Sequence, residues 1–281
     1  MNAMAWVRGE TRPAAALVAA VALGLGLIII RFLPPLLSAA MGSLGPITQA
    51  VAMTVGLFGP MIAAAAIWSA VTNVSVKALG AAPGRMAVAG AAFGIGGVLI
   101  CVLYAAVANT LVHTPGTPDI GLLLLMTPLT LLQCVVEEVY FRGWIQPVLT
   151  RAFGPVAAIA ATSLAFAALH FAAEVAQTPL SLLNVALAGL LFGLLAWRTG
   201  GLMAPMVAHC AWNWTESLGL GLFPNPGVDP TALVDLDLTG SALWGGSAEG
   251  LNASLAVTFV LLAFCVPLAL WKSSLPKPAT V

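Results

Sequence analysis

The sequence predicts an all-α, polytopic membrane helix bundle of about eight transmembrane helices, with both termini cytoplasmic. Three observations lead there. The chain is 60% hydrophobic and only 7% charged, against about 25% charged in soluble proteins. It holds eight apolar stretches near the roughly 20-residue length that a bilayer-spanning helix needs. Its basic residues gather at alternate ends of those stretches. Formal net charge is zero, which leaves no electrostatic footprint for nucleic acid.

The spans fall at 14–33, 47–71, 87–112, 120–140, 155–173, 180–197, 202–222 and 252–271. The first follows Arg8 and Arg12, as a signal peptide would. Its length, and the further membrane segments behind it, read instead as a span. Arg8, Arg12, Lys77, Arg85, Arg142, Arg151, Arg198, Lys272 and Lys277 lie at one set of ends, and Arg31 alone at the other. Asp119, Glu174, Asp229, Asp235, Asp237 and Glu249 fall in the opposite loops. Positive charge on the inner side then puts both termini in the cytoplasm. The resulting plan is a cytoplasmic segment 1–13, N-terminal transmembrane helices over 14–119, a core over 120–222, an outer loop 223–251, a last span 252–271 and a cytoplasmic tail 272–281. The four cysteines Cys101, Cys134, Cys210 and Cys265 lie apart in apolar runs with no CxxC, and read as small buried hydrophobes.

Within the fourth span stands the doublet Glu137-Glu138, with Arg142 four residues on. A carboxylate at membrane depth costs roughly 2.5–3.5 kcal/mol on insertion scales, so such groups are kept where they pair or act. Residues four apart share a helix face, so Glu138 and Arg142 can pair, with the acid on the favourable N-terminal side. Glu137 is turned away, toward Gln133, and is free for chemistry. Solvation of both acids at the interface is the plain alternative.

Two of the three histidines also lie within spans, His170 and His209. Gly154-Pro155 reads as the turn between the fourth and fifth helices. If the fourth helix runs on to that turn, Glu137 and His170 stand at one height, roughly 25 Å from it. His209 and Asn213 share a face of the seventh span, and Glu216 continues the stripe. Glu216 reads either as an interfacial acid or as a group supporting His209. Asn184 suits interhelical hydrogen bonding, and His113 falls in a solvated outer loop. Gly189-x-x-x-Gly193 allows close packing within the bundle or between copies.

Glu137-Glu138-x-x-x-Arg142, Phe166-x-x-x-His170 and His209-x-x-x-Asn213, in that order, resemble the three motifs of the CPBP intramembrane proteases. That family is also known as the CAAX-protease and Abi family, with the Rce-type prenyl-protein endopeptidases among its members. The resemblance covers about residues 120–222. It implies an intramembrane endopeptidase in which Glu137 activates a water, aided by His170. His209 and Asn213 then stabilise the oxyanion, while Glu138 and Arg142 hold the catalytic helix. Peptides or lipidated proteins would be the substrates, with membrane lipid as the surroundings and a cavity open to the cytoplasm.

The resemblance leaves zinc open as a cofactor, with Glu137, His170 and His209 as its ligands and one position free. No HExxH is present, and the pairing of Glu138 with Arg142 leaves no second carboxylate as base, which favours a metal-free glutamate mechanism. Other readings are a catalytically silent member acting as a binding or immunity protein, and a proton-coupled transporter. A transporter would favour inverted repeats around a midplane site, and the sequence shows none. The Ala- and Gly-rich composition points to a bacterial cell membrane.

Overall fold

The computed structural model describes residues 8–76, 78–173 and 177–271. Lys77, Glu174, Lys272, Lys277 and the tail 272–281, all used in the charge argument, lie outside the described residues. Each of the eight expected segments is a helix: α1 Arg12–Met41, α2 Pro46–Val71, α3 Pro83–Val107, α4 Ile120–Phe153, α5 Pro155–Ala172, α6 Pro179–Thr199, α7 Met203–Asn213 and α8 Leu255–Leu270. The first six are long and apolar enough to cross a membrane. The seventh is prolonged by a π-helix, Trp214–Gly219, and the eighth is a shorter apolar helix.

Proline sets many of the starts. α1, α2, α3, α5 and α6 each carry Pro in the first two positions, where its missing N–H is no loss and its fixed φ suits a helix. Side chains cap others: Asp119 accepts from the Leu122 amide and Thr178 from the Ser181 amide, each satisfying a first-turn donor.

Two departures from the expected spans matter. The fourth helix does not stop near residue 140. It passes through a π-helical stretch, Val139–Ile145, and ends at Phe153. Arg142 and Gln146, which mark the edge of the apolar run, are buried against α6, where they donate to the carbonyls of Gly189 and Gly193. The third span ends at Val107 rather than 112, after which Asn109 takes a left-handed conformation with φ 54°. The chain then forms a short strand, β1 Leu111–His113, antiparallel to β2 Leu236–Leu238. The stretch read as an outer loop is therefore a folded cap, further held by a hydrogen bond between Thr114 and Asp237. His113, on β1, is exposed.

The interior has two apolar clusters. One gathers side chains of α1, α2, α4 and α5, and the other those of α3, α6, α7 and α8. The outward faces keep large apolar groups exposed, among them Phe32, Leu124, Val156 and Leu164, as lipid contact requires. Asn184 of α6 donates to the carbonyls of Asn252 and Ser254 and accepts from Thr258, tying α6 to α8.

The closest helix pair, α3 with α7, rests on the stripe Gly90, Gly94 and Gly97. A Cβ on Gly94 would lie 2.5 Å from the Ala208 carbonyl oxygen, and one on Gly97 2.3 Å from the Trp212 ring. Backbone cannot retreat as a flexible side chain can. Gly94→Ala is expected to push α7 away and lower stability by about 1–3 kcal/mol, with activity falling alongside. A thermal melt and a turnover assay on the purified variant check this; an unchanged melt would mean the helices have room to spare.

Candidate active site

The expected site residues meet at the seam between the two apolar clusters. Glu137 and Glu138 come from α4, His170 from α5, and His209 and Asn213 from α7. Glu137, Glu138, Arg142 and His209 are 6%, 0%, 2% and 5% exposed, while His170 and Asn213 are partly exposed.

Helical phase splits the doublet. Arg142 Nη1 donates to Glu138 Oε1 at 2.9 Å, and Nη2 donates to the Gly189 carbonyl at 2.8 Å. The guanidinium also lies over the Phe166 ring, 4.8 Å from its centroid. Gly189 makes this reach feasible: a Cβ there would come within 3.1 Å of the Ser163 Cα and 3.4 Å of Arg142 Nη2. Gly189 and Gly193 thus serve packing inside the bundle. Glu137 looks the other way. Its Oε1 accepts from Gln133 Nε2 at 3.2 Å, and its Oε2 has no hydrogen-bond partner.

One contact joins what the sequence kept apart. His209 Nδ1 lies 3.0 Å from Glu138 Oε1. A carboxylate only accepts, so the network assigns the ring proton to Nδ1. Nε2 is then the nitrogen turned to the cavity. It receives Asn213 Nδ2 at 3.3 Å and stands 3.9 Å from Glu137 Oε2. The imidazole is stacked on Phe192 at 4.7 Å between centroids. Glu138 therefore holds both Arg142 and His209 on one oxygen, a role hidden from the sequence because α4 and α7 meet only in three dimensions. His170 Nδ1 donates to the Phe166 carbonyl at 2.9 Å. His170 and Glu137 line the same cavity with no hydrogen bond between them.

That cavity measures about 620 Å³. Besides Glu137, His170, His209 and Asn213 its wall includes Gln133, Asn184 and Glu216. On α4 the lining runs from Thr130 to Phe141 and includes none of the residues between Arg142 and the Gly154 turn. At the other end it reaches the partly exposed residues Ala173, Gln177 and Phe223. That end is the one the charge rule places outside. The charge-based orientation and the expected cytoplasmic opening thus point to opposite faces.

Glu216 is not an exposed interfacial acid: it is 5% exposed and accepts from Trp212 Nε1 at 2.9 Å. The pair is an i, i+4 contact, readable in the sequence as Trp212-x-x-x-Glu216. Among the described residues no three His, Cys, Asp or Glu side chains are gathered to hold a metal ion. The set Glu137, His170 and His209 does not form such a group.

Fold and site together define a polytopic membrane protein with a carboxylate, histidine and asparagine centre inside its helix bundle. Residues 119–215, about a third of the chain, match the family model described as type II CAAX prenyl endopeptidase, Rce1-like, and this supports a CPBP-family protease. The match spans the three motif-bearing helices. Comparison with curated proteins gave no match, and neither did comparison with solved structures.

Proposed function

We propose that this chain is an intramembrane endopeptidase that hydrolyses peptide bonds of membrane-associated peptides or lipidated proteins, with a water activated by Glu137 as nucleophile. The observation that carries the reading is the position of Glu137 Oε2, which has no hydrogen-bond partner, 3.9 Å from His209 Nε2 at the wall of the cavity. A water set to one side of that gap, about 2.8 Å from each atom, can bridge the two. Glu137 takes a proton as the water oxygen bonds to the carbonyl carbon. It returns that proton to the leaving nitrogen as the C–N bond breaks. Asn213 Nδ2 donates to the oxyanion, joined by His209 when Nε2 carries a proton. Preset donors of this kind are commonly worth about 3–4 kcal/mol each. His170 positions the water or substrate from the opposite wall, and Glu138 with Arg142 fixes His209.

The same reading takes the protein as multi-pass in a bacterial cell membrane with both termini cytoplasmic, and as independent of zinc. Purified protein in lipid nanodiscs, given a panel of hydrophobic peptides in the presence of 1,10-phenanthroline, tests it. Cleavage is expected to continue at the rate seen without chelator. Full loss restored by added zinc would replace the glutamate mechanism with a metal-dependent one. Absence of cleavage under every condition would overturn the endopeptidase reading and leave the silent or transporting alternatives.

A further inference from the structure

Glu216 sits in the π-helical turn that follows Asn213, about one helical turn farther along the cavity wall. One carboxylate oxygen accepts the Trp212 indole N–H at 2.9 Å. The other is buried with no hydrogen-bond partner. Among the described residues no Lys or Arg lines the cavity, and the one buried guanidinium beside it, Arg142, is already committed to Glu138 and Gly189.

A buried carboxylate without a partner is costly, and proteins keep such groups paired. Anchoring Trp212 accounts for only one of its oxygens. A Gln would anchor the indole as well without the charge. What the described residues do not provide, an occupant of the cavity can. We propose that Glu216 reads a positively charged Lys or Arg side chain of the substrate, placed within a few residues of the scissile bond. The distance along α7 supports the placement. Asn213, at the reacting centre, and Glu216 are about 4.5 Å apart in helix rise, so a peptide lying along the wall meets both. An ammonium or guanidinium brought in by the substrate completes a charge-assisted hydrogen bond that the empty site lacks.

The inference rests on the endopeptidase reading for the bond that is cut, but not for the binding. The test therefore uses two readouts. Ala/Leu decapeptides bearing a single Lys, Gln or Glu at each position in turn are first assayed for cleavage by the wild type, Glu216→Gln and Glu216→Met. Their binding is then measured on full-length Glu137→Gln protein with and without the Glu216 substitutions. At one position the Lys peptide is expected to be favoured over the Gln peptide by about tenfold in both readouts. Glu216→Gln brings that ratio to about one. Glu216→Met does the same and stands in should the Gln variant fail to fold. A Lys preference that survives in the folded variants overturns the inference and leaves the protease reading untouched. So does the absence of any preference in the wild type. A binding preference abolished by Glu216→Gln, with no cleavage of any peptide, upholds the cation site and removes the protease reading.

Discussion

Glu137→Ala is expected to lower peptide cleavage by about 10²–10⁴-fold, the usual worth of a positioned general base, while the protein keeps its fold. The second half of that statement follows from the contacts. Glu137 is held only by Gln133, and its other oxygen is buried without a partner. Removing it leaves no opposite charge stranded, because Arg142 is paired with Glu138. The thermal melt should therefore stay level or rise slightly, whereas turnover collapses. Glu137→Gln should behave alike, since it preserves shape and loses only the base. Mass spectrometry of a cleaved peptide beside a melting curve separates the two effects. Retention of more than a tenth of wild-type turnover would move the base role away from Glu137.

Arg142→Met is expected to produce the opposite pattern, a loss of stability of about 3–5 kcal/mol, because it strands a buried carboxylate. Glu138 is 0% exposed and would keep only His209 as a donor on the oxygen that Arg142 now shares. The Gly189 carbonyl would lose its donor as well. Lys is no substitute. Its single ammonium cannot reach both Glu138 and Gly189 as the forked guanidinium does, nor stack between Phe166 and Phe192. Pairing Arg142→Met with Glu138→Met should restore much of the stability, since a buried ion pair replaced by apolar groups is often neutral or better. Activity should not return, because His209 then loses the carboxylate that holds Nδ1 and keeps only Asn213 and the Phe192 ring. Equilibrium unfolding of the two single variants and the double variant measures this. A loss under about 1 kcal/mol for Arg142→Met would show that the pair is solvated by lipid headgroups or water.

Residue spacing carried the local part of the site. The Glu138–Arg142, Glu137–Gln133 and His209–Asn213 contacts all lie within one helix, four residues apart, so helical phase suffices to place them. The contact between Glu138 and His209 spans 71 residues and depends on how α4 meets α7. The stripe Gly90, Gly94 and Gly97 seats α7 against α3, but no spacing in the sequence pairs α7 with α4. The fourth span reads as ending at residue 140, short of the helix end at Phe153 that the Gly154-Pro155 turn allows, for a related reason. Arg142, Gln146 and Arg151 look like an interface in one dimension, yet α6 supplies carbonyls for Arg142 and Gln146, and Arg151 donates to the Thr72 carbonyl. The β1–β2 pairing was illegible because its two three-residue strands are joined across more than a hundred residues.

The two π-helical turns bear on how this chain can vary in length. A π turn is an α-helix holding one residue more than its height requires. Here one begins at Val139, directly after Glu137-Glu138, and the other at Trp214, directly after Asn213, and Phe141 and Glu216 within them still line the cavity. An insertion or deletion farther along either helix can be taken up there as a change of pitch. Without that slack, one residue gained or lost would swing everything on one side by about 100° relative to the other. The wide turns act as expansion joints. Glu137, Glu138, His209 and Asn213 keep their aim while the segments that follow, including the β1–β2 cap, remain free to lengthen, shorten and diversify.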